Sequence, residues 1–206
     1  GDGASTCWWL WRGVKAIPAV TGLAGATDVN TVTKTAIGGS YRFIGSTSNV
    51  NASMVAVPGS SYTVGWCGDL MNLELNNPVA WLVLAAGTTA GSSDIETFMI
   101  ESSSASAFAQ RVDTYTDYNQ GGPSYGTVSL VVPAFRREIK CLGVSDNTTT
   151  RKFAVSTDGM TWFVLGSEAT NTFITPTHFG VGSGGNGATA ATILLHTIIN
   201  TTSVLF

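Results

Sequence analysis

Apolar and polar residues alternate in short runs along most of this chain, and turn-forming residues close nearly every run. From Gly38 onward the runs fall at residues 41–44, 53–57, 62–66, 79–85, 95–101, 107–115 and 127–132. Gly45, Pro58-Gly59 and similar Gly, Ser, Asn or Pro clusters separate several of them. Successive strand side chains point to opposite faces. Short runs with no helical period of useful length therefore predict an all-β sandwich or barrel. The longest apolar run, 79–86, reads as a buried strand. Only 72–75 and 103–108 could hold a short helical turn, and 182–187 (GSGGNG) reads as a mobile loop before the closing strand.

The sharpest local signal is Asp158-Gly159. A two-residue type I′ hairpin loop needs positive φ at both positions, which Gly adopts freely and Asp tolerates. With that loop, Thr157 faces Met160, Val155 faces Trp162 and Phe153 faces Val164. Directly opposed residues share a face, so Phe153, Val155, Trp162 and Val164 are expected in one apolar patch. Leu142 and Val144 extend it.

Residues 1–37 read differently, as an N-terminal arm or linker before a sandwich spanning 38–206. Cys7-Trp8-Trp9-Leu10-Trp11 is an apolar cluster, followed by an extended stretch with Pro18, Gly22 and Gly25 that is expected to hold one or two short strands. On an extended arm Trp9 and Trp11 share one face and Trp8 takes the other. An arm lying on its own domain leaves a ring in water. Trp8, Trp9 and Trp11 are therefore expected to be an assembly contact with another protein surface.

The segment Lys152-Phe153-Ala154-Val155-Ser156-Thr157-Asp158-Gly159-Met160-Thr161-Trp162 resembles the S-x-D-G-x-x-W hairpin of concanavalin A-like (laminin G-like) domains. Thr177-His178-Phe179-Gly180-Val181-Gly182 and a closing strand near 192–199 fit the same pattern. The resemblance implies an antiparallel jelly-roll β-sandwich, here with an extended N-terminal arm. Some members are glycoside hydrolases and some are lectins, often with Ca²⁺, so both chemistries are weighed below.

Glycosidic cleavage needs two acids flanking the bond. Asp94-x-Glu96, with Glu101 further on, is the one candidate, and it departs from the family's E-x-D-x-E type of pattern. Solvated strand-edge acids are the expectation, and no enzyme activity is expected. His178 and His196 lack a G-x-S-x-G partner. Asp113, Asp117, Asn119, Asp146 and Asn147 match no Ca²⁺ loop and are expected in Asx-turns; no metal or cofactor is expected. The best ligand-site candidate is the loop 115–125. Tyr115, Asp117, Tyr118, Asn119 and Tyr125 offer aromatic faces for sugar C–H surfaces and polar groups for hydroxyls. The competing expectation is that the tyrosines cap the sandwich end or pack on a neighbouring subunit.

Composition narrows the partners. The chain has 206 residues, 44% of them hydrophobic and only 11% charged, with net charge −3. An average soluble domain is about 25% charged, so this polar surface is built from Ser, Thr, Asn and Gly. That suits a protein held in an assembly. Ten basic residues give no footprint for nucleic acid, and Arg136-Arg137 and Arg151-Lys152 read as strand-edge charges. No apolar run is long enough to cross a membrane. Cys7, Cys67 and Cys141 are odd in number with no C-x-x-C spacing, indicating neither a disulfide framework nor a zinc site. Cys141 is expected as a small buried residue, and a reducing cytosol as the place of assembly. The start at Gly1 reads as a fragment or a processed product.

In style the chain resembles bacteriophage virion proteins. The expectation is a non-enzymatic tail-fibre, tail-spike or capsid decoration module that presents a host-surface or glycan-binding sandwich. Its partners would be other virion proteins or identical subunits, with a glycan as ligand. The alternative is a secreted carbohydrate-binding module of a cellular adhesin or glycoside hydrolase, in an extracellular location.

Overall fold

The computed structural model describes residues 10–11, 14–15, 17–46, 49–71, 78–104, 107–120, 125–128, 139–185 and 191–206. For 10–11, 14–15, 78, 101–104, 107–110, 125–128 and 185 the description is of backbone alone. Two antiparallel sheets face each other as a concanavalin A-like β-sandwich. The seven-stranded sheet runs, in spatial order, β12 (Tyr125–Val128), β11 (Ala107–Tyr115), β10 (Ile95–Ser104), β9 (Pro78–Ala85), β16 (His178–Gly185), β7 (Asn51–Ala56) and β4 (Thr27–Val29). The second sheet runs β15 (Phe163–Ala169), β14 (Thr150–Ser156), β13 (Cys141–Asp146), β8 (Tyr62–Leu70), β17 (Thr192–Thr201), β6 (Ser40–Gly45) and β5 (Val32–Ile37), with β3 (Ile17–Pro18) also on β17. A separate ladder joins β1 (Leu10–Trp11) to β2 (Val14–Lys15).

β9 shows why the seven-stranded sheet is apolar on both sides. Ala80, Leu82 and Leu84 face the inter-sheet core with Trp66, Phe98, Phe153 and Phe179. The alternate residues Val79, Trp81, Val83 and Ala85 join a second buried cluster on the outer face with Met54, Ile95, Met99, Tyr115 and Tyr118. A strand covered on both faces loses the polar alternation of a half-exposed one. Between the sheets, Trp66 Nε1 donates to the Trp81 carbonyl at 3.0 Å. Phe98 and Phe153 meet edge-to-face at 5.6 Å, a geometry worth about 1 kcal/mol beyond burial.

Several expectations change. Residues 17–37, read as arm, build β3, the short helix α1 (Ala19–Gly22), β4 and β5; Ala19 is fully buried in the inter-sheet core. Residues 103–104 and 107–108, read as a possible helical turn, lie in β10 and β11; residues 72–77 lie outside the described residues. The start of the GSGGNG run is strand, not loop. Gly182 and Gly184 sit beneath Trp81, where a Cβ would come within 3.0 Å and 2.4 Å of the ring. These glycines make room for a large neighbour.

The hairpin after β14 keeps its strands and changes its loop. Leu142 pairs with Val155 and Val144 with Phe153, and all four are fully buried in the core. Across the turn, however, Val155 pairs with Phe163, and a bulge separates Phe153 from Ala154. Gly159 has the expected positive φ of 73°, but Asp158 is not among the positive-φ residues. Asp158 Oδ1 instead accepts from the Met160 and Thr161 amides at 2.7 and 2.8 Å. Ser156 Oγ accepts from the Gly159 amide at 2.8 Å. This side-chain-capped turn is longer than a two-residue loop, so it moves Trp162 out of the core. Trp162 stacks on Phe206 at 5.2 Å over Gly143, on the sheet's outer face. Val164 is 46% exposed.

Cys67 and Cys141 form a disulfide, which corrects the reading of unbridged cysteines. They are direct partners on β8 and β13, with Cα atoms 4.1 Å apart across 74 residues of sequence. Close cross-strand pairs have about this spacing. Only the register of two distant strands brings them together, so cysteine count and spacing carried no signal. Gly159 folds over the bridge, its Cβ position 3.5 Å from both sulfurs.

Candidate functional site

Two loops fold back over the outer face of the seven-stranded sheet: residues 86–94, between β9 and β10, and residues 116–120, after β11. Tyr118 ties them down. Its hydroxyl donates to the Gly87 carbonyl at 3.0 Å and its amide donates to the Ala90 carbonyl at 3.1 Å. The Tyr118 carbonyl accepts from the Val50 amide at 2.9 Å and from Asn30 Nδ2 at 3.1 Å. The ring is 0% exposed within the outer apolar cluster, and burial pushes its phenol well above the usual range. One residue thus fixes two loops against the segments beside β4 and β7.

Local turns stiffen the same surface. Asp117 Oδ1 accepts from the Asn119 amide at 2.7 Å, the Asx-turn expected for this residue. Gln120 Oε1 accepts from the Thr116 amide at 2.8 Å and from its hydroxyl at 3.1 Å. Ser93 Oγ accepts from the Thr89 amide at 3.1 Å. Thr89, Ser92, Asp94, Thr116 and Asn119 are exposed. Gly91 lies beside Asn119, its Cβ position 3.9 Å from Nδ2. The product is a rigid shelf of hydroxyls and an amide, with no basic residue in either loop.

The residues expected to bind sugar therefore divide. Asn119 lies on the shelf and Asp117 supports it, half-buried. Tyr115, 5% exposed, and Tyr118 present no ring face to solvent; as stacking platforms they are corrected to supports, because the outer sheet face is apolar and needs covering. Only the backbone of Tyr125 and of Trp11 is described. Trp8 and Trp9 lie outside the described residues, as do Arg136 and Arg137.

The acid pair also separates. Asp94 is exposed at the loop end, whereas Glu96 is fully buried between the sheets. Arg151, expected at a strand edge, is 0% exposed and holds Glu96 through Nη1 at 2.6 Å. Strand parity carried this signal. Arg151 alternates with Phe153 and Val155, and Glu96 with Phe98 and Ile100. Asp113 is buried and held by Arg111 at 2.7 Å; burial raises its carboxyl pKa, partly offset by that arginine. Asn147 Oδ1 caps the Thr149 and Thr150 amides. Among the described residues no three His, Cys, Asp or Glu side chains gather to hold a metal.

A second polar constellation was missed. β17 carries a bulge at His196, between Leu195 and Thr197. His196 follows the buried Leu195 and points to the outer face, where Nε2 meets Asp69 Oδ2 at 2.9 Å and Nδ1 meets Ser40 Oγ at 3.1 Å. Lys140 Nζ bonds the other Asp69 oxygen at 2.5 Å. These hydrogen bonds, His196 first, hold the Asp69 carboxyl below its usual pKa. The side chains of Asp69, Lys140 and His196 are 41–56% exposed. In so much solvent the array is worth at most about 1 kcal/mol.

No protein-family model matches the sequence, and no curated protein matches it significantly. Solved structures do. The chain is similar to the legume lectin-like domain from Entamoeba histolytica at TM-score 0.55 and 7% identity, covering 90% of this chain and 96% of that one. It is also similar to the exoplasmic/lumenal domain of VIP36 in a Ca²⁺/Man-bound form, at TM-score 0.51 and 10% identity, covering 85% and 88%. Likeness at this identity establishes a lectin-like β-sandwich fold, and fold does not carry function by itself.

Proposed function

We propose that the chain is a non-enzymatic recognition module that binds a glycan on the shelf formed by residues 86–94 and 116–120. The observation that carries this reading is the anchoring of both loops by Tyr118, with Ser92, Thr116 and Asn119 left facing solvent. Preorganised hydroxyl and amide groups bind sugar hydroxyls without a further ordering cost. The fold adds support, since a VIP36 structure of similar fold is a Ca²⁺/Man-bound form. A non-catalytic role is favoured by the fate of the acids. Asp94 lies in water and Glu96 is locked to Arg151, so they cannot flank one glycosidic bond.

The module is proposed to work within a bacteriophage virion, as a fibre, spike or decoration protein among identical subunits or other virion proteins. The 11% charged composition and the tryptophans at 8, 9 and 11 support that setting. The Cys67–Cys141 disulfide favours the second reading, a secreted carbohydrate-binding module, because such bonds persist in oxidising surroundings. An array of host-surface polysaccharides and neutral oligosaccharides tests recognition. Binding by the parent chain, weakened at least tenfold in Asn119→Ala, supports the shelf, and silence across the array removes it. Deleting residues 1–12 tests the setting. The truncated chain should fold yet fail to join its particle, and normal incorporation would count against the arm as the assembly element.

A further inference from the structure

Five ionisable groups from five strands meet inside the sandwich, at the end where β10 begins. They are Tyr62 of β8, Glu96 of β10, Asp146 of β13, Arg151 of β14 and Glu168 of β15. Asp146 is well served. It accepts from Arg151 Nε at 3.2 Å, the Thr170 hydroxyl at 2.8 Å and the Thr148 amide at 2.9 Å. Arg151 Nη2 donates to the Ile174 carbonyl at 3.3 Å. The two glutamates are not so complete. Arg151 Nη1 serves Glu96 Oε2 at 2.6 Å and Glu168 Oε1 at 2.8 Å. Glu96 Oε1 and Glu168 Oε2 are then buried without any hydrogen-bond partner.

Two ionised carboxylates can only accept, so they cannot satisfy each other. A proton on Glu96 turns its free oxygen into a donor and removes one buried charge. Burial, reinforced by Glu168 and opposed by Arg151, drives Glu96 in that direction, up to about 8. We propose that Glu96 keeps a buried proton directed toward Glu168, and that this proton is an alkali-released clasp between the two sheets. With it, Arg151 faces two carboxylates; without it, three carboxylates press into an apolar interior and the sheets part at this end. Glu96 lies two residues beyond the loop 86–94. Release of the clasp therefore also loosens the recognition shelf, a consequence that rests on the glycan reading.

The direction with pH follows from linkage. Glu96 holds its proton to higher pH in the folded chain than in the unfolded one. Its stabilisation is complete below the unfolded pKa of 4.5 and is lost as pH rises through about 8. The test is chemical unfolding of the whole chain at pH 6, 7 and 8, beside Glu96→Gln, whose amide donates to Glu168 at every pH. The parent's unfolding equilibrium constant should rise by up to about tenfold per pH unit, while Glu96→Gln changes less than threefold over the range. A parent constant that is flat or falls, or a Glu96→Gln chain that keeps the parent's slope, overturns the clasp. Should Glu96→Gln not fold, Glu168→Gln and hydrogen exchange of the parent's β10 and β14 amides at pH 6 and 8.5 make the same decision. Exchange protection that does not fall at the higher pH, after correction for intrinsic rates, overturns it. Glycan binding is not read, so the clasp and the shelf can fail separately.

Discussion

Tyr118 and Trp162 stand in loops built by the same device and end on opposite sides of the protein surface. In each, an aspartate side chain caps a nearby amide, Asp117 for Asn119 and Asp158 for Met160 and Thr161. The first loop lies over an apolar sheet face and must bring its own cover, so Tyr118 turns inward and the polar residues face out. The second lies over Gly143 and the disulfide, where the face is already closed from within. Trp162 there packs half-exposed against Phe206. What lies beneath a loop decides which way its aromatics point, and neither loop composition for Tyr118 nor strand counting for Trp162 shows it.

Mutations sharpen this contrast, and Tyr118→Ala should have the largest effect. Removing a fully buried ring that also holds two loops should cost about 3–5 kcal/mol, read as a loss of melting temperature. Tyr118→Phe isolates the hydrogen bond to Gly87, and losing a buried partner should cost about 1–3 kcal/mol. If both variants melt like the parent, Tyr118 is not the anchor. Gly159→Val should come next, at about 1–2 kcal/mol, because a β-branched residue is forced to positive φ. An unchanged melting point would mean that the turn relaxes without cost. Trp162→Ala should be the smallest, about 1 kcal/mol, chiefly the stacking on Phe206. A loss as large as that of Tyr118→Ala would put Trp162 back in the core and erase the contrast.

Period-two reading carried most of the fold. Residues 142–144, with Phe153 and Val155, were legible as strands because alternation and turn residues agree there, and 79–85 because an unbroken apolar run of that length reads as a buried strand. Three things were not legible, each for a physical reason. The β14–β15 register depends on a side-chain-capped turn and a bulge, which insert residues that pattern counting does not see. The disulfide depends on the pairing of β8 with β13, set by the whole sheet. The outer apolar cluster made β9 apolar on every residue, so nothing local announced that its second face would be covered by loops. Arg151 was legible and misread: its place in the Phe153, Val155 alternation outweighs its adjacency to Lys152. Of the candidate site, Asn119 and Asp117 came from the composition of the loop that also holds Thr116, whereas Thr89 and Ser92 did not. Their partnership with Asn119 arises only when Tyr118 folds one loop against the other.

The central claim is that glycan recognition sits on the shelf above Tyr118 and not on aromatic faces. It is tested most directly by calorimetric titration of the neutral glycan that binds best on the array into the parent, the double variant Ser92→Ala/Asn119→Ala, and Trp162→Ala. The double variant should bind at least about tenfold more weakly, a loss of about 1.4 kcal/mol, with its melting temperature unchanged. Trp162→Ala should bind like the parent. Undiminished binding by the double variant, or binding lost with Trp162, would contradict the account and move recognition to the opposite sheet.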